Sequence, residues 1–365
     1  MDSGFVHGVE LSARFYREAV LPLINRYFGP LPHTAARIGK GSEVLGFDTE
    51  RSADHEWGPR LQIFLRQQDI ETISHDISAM LADHLPKTFL GYPTHFAGEG
   101  RIRHMQVTDG PVFHRVEIAA LGTWFATHLG FDPRVPVTTV DWLATPTQAL
   151  AEVTAGAVFH DGLAELEPAR SRLAWYPSQV WRYVLACQWE RISQEEAFVG
   201  RCGEVGDELG SAVVAARQVR DLMRLCLLMG RRYPPYSKWL GSAFAQLPAA
   251  TALNPILRAA LAATDWRQHE QHLARAYEIV AAQHNQLGLT EPIDPSTRPY
   301  HHRPFQVLHA ERFATALLHS ITDPHLRATP PIGTIDQYAD STNILEHRDR
   351  TRAVAHAALD PRHRT

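Results

Sequence analysis

Apolar positions along the chain fall into two textures. Residues 9–28 carry Leu11, Phe15, Val20, Ile24 and Tyr27 at three- to five-residue steps, the spacing of one helical face, with Pro22 placed to kink it. A short apolar stretch, Ala35 to Ile38, runs into Gly39-Lys40-Gly41-Ser42. A polar turn follows at Asp48 to Ser52, and residues 54–65 read as a strand. Residues 70–84 read as a helix, 102–108 and 113–119 as strands, and 120–129 as a helix. Strands and helices in alternation predict a layered mixed domain.

After about residue 145 helical spacing takes over, at 145–155, 178–190, 193–202, 209–230, 252–262 and 267–286. The clearest stripe is Val219, Leu222, Met223, Cys226 and Leu227, which fits a core-facing helix. The pattern therefore predicts an α+β chain: a mixed-sheet domain over 1–145, then an all-helical domain over 146–350. A loosely held tail rich in Arg and His follows at 351–365. Pro-rich and polar clusters at 291–304 and 328–334 read as loops.

Composition narrows the class. A length of 365 residues suits about two domains of roughly 150 residues each. Charge is nearly balanced, with 36 Lys+Arg against 40 Asp+Glu, which disfavours a dedicated nucleic-acid binder. Cys187, Cys202 and Cys226 are odd in number and form no CxxC, so neither a disulfide framework nor a zinc ribbon is expected. The N-terminus has no basic and apolar leader pattern, and no apolar run reaches the roughly 20 residues of a membrane span. The expectation is a soluble cytoplasmic protein that engages no membrane and no stable nucleic acid. Only three lysines (Lys40, Lys87, Lys238) stand among 33 arginines, a bias with the look of a GC-rich coding sequence.

The stretch that carries chemistry is Gly41-Ser42, eleven residues, then Asp54-His55-Glu56-Trp57. On a strand, Asp54 and Glu56 would share a face. Two carboxylates side by side call for a cation between them, and Mg²⁺ takes oxygen ligands while sharing them with substrate phosphates. A Gly-Ser turn lets backbone N–H groups and a hydroxyl approach a phosphate. Together these predict a nucleotide–metal site.

Gly-Ser followed at this distance by Asp-x-Glu resembles the signature of the nucleotidyltransferase superfamily, the DNA polymerase β-like fold. The wider blocks Gly41–Asp48, Ser52–Arg60, Trp189–Glu196, Gly206–Gly210, Lys238–Gly241 and Gly333–Gln337 resemble a bacterial family called domain of unknown function 4037. The resemblance implies a nucleotidyltransferase-like mixed sheet with flanking helices, followed by a helical substrate-binding domain. It implies two Mg²⁺ ions, or Mn²⁺, held by Asp54, Glu56 and a third acid from a neighbouring strand. Glu117, flanked by Val116 and Ile118, is chosen as that third acid. Gly41, Ser42, Ser52 and Lys238 are the nucleotide contacts expected. The implied reaction transfers a nucleotidyl group, AMP from ATP by preference, to the hydroxyl of a small molecule. The rivals are nucleotidylation of a partner protein and a non-catalytic nucleotide-binding or regulatory relative.

Departures from the superfamily pattern are Lys40, where an apolar residue usually precedes the glycine, and polar His55 between the carboxylates. Gly39-Lys40-Gly41-Ser42 lacks the earlier glycine of a Walker loop. Asp48 and Asp109 read as turn residues, and Ser193-x-x-Glu196 as a capping box opening a helix. Asp207 and Glu208 are candidate acids of the second domain, and Gly200, Gly203, Gly206 and Gly210 suit close helix packing or a break. Arg217, Arg220 and Arg224 repeat at helical spacing, as a solvated face or a phosphate groove. Tyr233, Tyr236 and Trp239 near Lys238 suit core packing or base stacking. The 21 histidines form no zinc motif and read mostly as surface residues.

Overall fold

The computed structural model describes residues 4–98 and 102–360. The chain falls into two compact units, Met1–Val137 with Ala149–Ala174, and Thr138–Gln148 with Trp175–Thr365. The units do not part at a single cut near 145. The chain leaves the first unit, returns to it to add a strand, and then leaves for good.

The first unit opens with helices α1 (Gly8–Phe15) and α2 (Leu21–Phe28), joined through one π turn, Tyr16–Val20. Pro22 has no N–H and crowds the carbonyl four residues back, so the ladder widens ahead of it. Strands β1 (Thr34–Arg37) and β2 (Arg60–Leu65) follow, then helix α3 (Gln67–His84). Two short hairpins come next, β3 (Thr88–Phe89) with β4 (Tyr92–Pro93), and β5 (His95–Ala97) with β6 (His104–Gln106). Strand β7 (Arg115–Ala120) leads straight into helix α4 (Leu121–Leu129). Helix α5 (Thr139–Ala144) belongs to the second unit, and α6 (Thr147–Thr154) carries the chain back. Strand β8 (Ala157–Asp161) and helix α7 (Leu166–Leu173) complete the first unit.

The sheet runs β7-β2-β1-β8, with β1 antiparallel to both neighbours and β2 parallel to β7. Alternation sorts its residues. Leu61, Ile63 and Leu65 pack with Val116 and Ile118 against Phe15, Val20 and Ile24 of the N-terminal helices and Ile77 and Leu81 of α3. Arg60 and Gln62, with Arg115 and Glu117 beside them in register, share the opposite face.

Residues 54–65 are a strand only from Arg60 onward. Glu50–Asp54 is a 3₁₀ turn, Glu56 sits at φ +45° and Gly58 at φ +138°, and Pro59 offers no N–H to a ladder. Asp54 and Glu56 therefore lie ahead of β2 rather than alternating on it.

The second unit is helical: α8 (Ser178–Glu195), α9 (Phe198–Glu204), α10 (Glu208–Met229), α11 (Ser237–Ala245), α12 (Ala250–Ala262) and α13 (Trp266–Gln286). A two-residue hairpin, β9 (Arg298–Pro299) with β10 (Gln306–Val307), precedes α14 (Glu311–His319) and α15 (Pro324–Ala328). The chain ends with α16 (Ile335–Tyr338), α17 (Thr342–Leu345) and α18 (Arg348–Leu359). Gly200 and Gly203 let α9 lie directly on Phe305 and Trp266, whose rings occupy the space a Cβ would need. The tail expected at 351–365 is largely helical, because Thr351, Ala355 and Leu359 of α18 are buried; residues 361–365 lie outside the described residues. Among the described residues no helix is long and apolar enough to cross a membrane.

Candidate functional site

Arg37 ends β1 and Arg60 begins β2, and both reach Glu43 in the loop between them. Glu43 Oε1 accepts from Arg37 Nε at 2.8 Å and from Arg60 Nε and Nη2 at 2.9 and 2.6 Å. The three side chains are almost closed to solvent, at 3%, 10% and 2% exposure for Arg37, Arg60 and Glu43. Terminal guanidinium N–H groups also hold the loop's backbone: Arg37 donates to Ile38 O and Lys40 O, both at 2.6 Å, and Arg60 Nη2 to Lys40 O at 3.4 Å. Burial disfavours the Glu43 carboxylate, yet the two guanidiniums outweigh it and hold its pKa below the ordinary range. Burial pushes Arg60 down to about 10, with the Arg37 charge adding and the Arg115 charge contributing less.

This triad explains Gly41. Its φ is +155°, and a Cβ there would lie 2.5 Å from Glu43 Oε2 and 2.6 Å from both Arg37 Nη2 and Arg60 Nη2. Only glycine lets the turn rest on the guanidiniums. Above them the backbone N–H groups of Lys40, Gly41 and Ser42 donate to no protein acceptor among the described residues, and the Lys40 side chain is exposed.

Arg115, at the start of β7, extends the cluster. It pairs with Glu56 Oε2, which also lies 3.9 Å from Arg60 Nη1, while Glu56 Oε1 accepts from Arg103 N at 2.8 Å. Three guanidiniums thus face two carboxylates, and Lys40 adds a further positive charge.

The residues expected to hold metal do not converge. Asp54 is 68% exposed and binds the His55 ring at 2.7 Å. Both Glu56 oxygens are committed to cations and an amide. Glu117 lies on β7, beside β2, exposed and accepting from Gln62 Nε2 at 3.3 Å. Among the described residues no group of three or more His, Cys, Asp or Glu side chains is placed to hold a metal ion. As placed, Asp54, Glu56 and Glu117 do not fit two divalent ions. Ser52 closes its own turn, its Oγ accepting from Thr49 N at 3.0 Å. Asp48 ties the N-terminal helix to the loop, accepting from Gly8 N at 2.7 Å and Trp57 Nε1 at 3.1 Å.

The second unit holds the remaining candidates. Lys238 sits in the first turn of α11 with its ammonium 4.8 Å from the centre of the Trp239 ring. Asp207 caps α10 by accepting from Gly210 N at 2.7 Å. Arg217 pairs with Glu195 on the surface, whereas Arg224 is spent on Asp336 O at 2.8 Å. Glu196 opens no helix: α8 ends beside it, and its buried carboxylate accepts from Leu308 N at 2.7 Å and Ala310 N at 3.0 Å. Burial pushes that carboxyl up to about 7. His33, His269 and His284 are buried rather than on the surface.

Residues 142–240 match the family described as Domain of unknown function (DUF4037). No curated protein and no solved structure matches the chain. The match supports the DUF4037 family and includes two of the resembling blocks, Trp189–Glu196 and Gly206–Gly210, and most of a third, ending at Leu240. The Gly41–Arg60 stretch lies outside the DUF4037 match.

Sequence reasoning singled out Gly41 and Ser42 and missed Arg37, Glu43, Arg60 and Arg115. The signal was present: cations stand at the end of one strand and the start of two others, with an acid directly after Gly-Ser.

Proposed function

We propose that the first unit binds the phosphate chain of a nucleotide, ATP by preference, at the turn 39–42. The observation that carries this reading is that the N–H groups of Lys40, Gly41 and Ser42, which meet no protein acceptor among the described residues, belong to a turn resting on two buried guanidiniums, beside the exposed Lys40 side chain. Clustered N–H donors over fixed positive charge form an anion-binding concavity. Calorimetry with ATP and Mg²⁺ is expected to show binding to the wild type and a roughly five- to tenfold loss in Lys40→Ala, the worth of one charged hydrogen bond. Lys40 is exposed, so its removal leaves the fold intact. No binding of any NTP by the wild type would overturn the reading.

Transfer of the nucleotidyl group to a small molecule's hydroxyl is the second reading, and Glu117 favours it. This exposed carboxylate lies two residues from Arg115 on the same strand face. Beside a phosphate held by Arg115 it would accept the hydroxyl proton. The oxygen would then bond the α-phosphorus as the bond to the β-phosphate breaks and pyrophosphate leaves. Glu117→Gln is expected to leave ATP affinity within about twofold while slowing pyrophosphate release about a hundredfold. Unchanged release would remove Glu117 from the reaction.

A further inference from the structure

Strands β2 and β7 both begin with arginine, and their parallel register sets Arg60 opposite Arg115. Like charges directly opposite repel, and one anion between them relieves both. Glu56 is that anion: its Oε2 pairs with Arg115 and stands 3.9 Å from Arg60 Nη1. The seat is strained although Arg103 steadies it, with Glu56 N donating to Arg103 O at 2.7 Å and Oε1 accepting from Arg103 N at 2.8 Å. Glu56 holds a left-handed backbone at φ +45°, a conformation that costs any residue with a side chain, and its side chain remains 31% exposed. The same Arg60 reaches Lys40 O with its other terminal nitrogen, so the seat adjoins the Lys40–Ser42 turn, whose N–H groups meet no protein acceptor among the described residues.

We infer that Glu56 is a resident stand-in for a phosphate group, and that a polyphosphate displaces its carboxylate from Arg115 and Arg60 and binds without a divalent ion. The inference rests on the phosphate-binding reading of turn 39–42 and goes further, naming the seat, the ligand class and the competitor. It reverses the role expected for this carboxylate. A metal ligand helps nucleotide binding, whereas a competitor opposes it.

The test is calorimetry in EDTA with sodium tripolyphosphate, using the wild type, Glu56→Gln and Glu56→Asp, with thermal melts to establish that each is folded. Glu56→Gln is expected to bind tripolyphosphate roughly tenfold more tightly than the wild type, because the competing charge is gone. Glu56→Asp retracts the carboxylate but keeps its charge, and a smaller gain is expected. Equal or weaker binding by Glu56→Gln overturns the inference; if that variant does not fold, equal or weaker binding by Glu56→Asp does so. Wild-type binding of ATP that needs Mg²⁺ also overturns it, while leaving the nucleotide reading standing. If the wild type binds ATP neither with Mg²⁺ nor in EDTA, both fall.

Discussion

Glu43→Gln is expected to destabilise the protein by about 3–5 kcal/mol at neutral pH, the cost of stripping two buried guanidiniums of the carboxylate they share. Arg37 would remain inside with no carboxylate partner among the described residues and Arg60 with only Glu56 at 3.9 Å, because all of their bonds to Glu43 go to Oε1 and a neutral amide oxygen there accepts them without the charge. The carboxylate's pKa lies below its ordinary 4.5. Its stabilisation is therefore fully present above the unfolded value and is lost as pH falls through the folded one. Urea denaturation of both proteins at pH 7 and again below pH 4.5 checks this. The gap should be wide at pH 7 and narrow on acidification. A gap under about 1 kcal/mol at pH 7 would place Glu43 among weak surface pairs instead. The effect reaches the candidate site, because the same guanidiniums carry the turn at Gly41.

How much of this was legible beforehand depends on whether a residue acts through local pattern or through partners distant in sequence. Helices α3, α10 and α13 follow from periodic apolar faces, and β7 from a short apolar run broken by Glu117. Strand β8 went unread, since Ala157–Asp161 earns its place only by pairing with β1 more than a hundred residues earlier. That pairing is also why no single cut divides the units. The Asp54–Glu56 stretch reads as strand by composition, but Gly58 and Pro59 override it and delay β2 to Arg60. The importance of Gly41 was visible as a residue type, while its reason was not. A glycine before Ser suggests approach to a ligand, yet here it is demanded by Glu43 and two arginines from separate strands. Alternating charge across three strands leaves no periodic mark in sequence. Buried histidines escape for the same reason, as with His269, whose ring meets Ser211 58 positions earlier.

Acidification from pH 6.5 to 4 is expected to cost the second unit about 3 kcal/mol through His284 alone. Its ring is buried between α8 and α14, edge-on to both Trp189 and Phe313. Trp189 Nε1 donates to Nδ1 at 3.1 Å, which fixes the proton of the neutral ring on Nε2. A second proton would have to sit on Nδ1, against the tryptophan donor, and no carboxylate among the described residues pairs with the ring. Burial accordingly pushes the pKa from 6.5 down to about 4. Between those values the unfolded chain takes up a proton that the folded one refuses. Stability is thus fully present above pH 6.5 and declines until the folded ring protonates near pH 4. His284→Gln keeps an acceptor for Trp189 and removes the titration. The difference in unfolding free energy between wild type and His284→Gln should therefore fall by about 3 kcal/mol across this window, other titrating groups cancelling. A difference that stays constant from pH 7.5 to 4 would mean that the ring titrates alike in both states, and that the Trp189 contact does not hold it neutral.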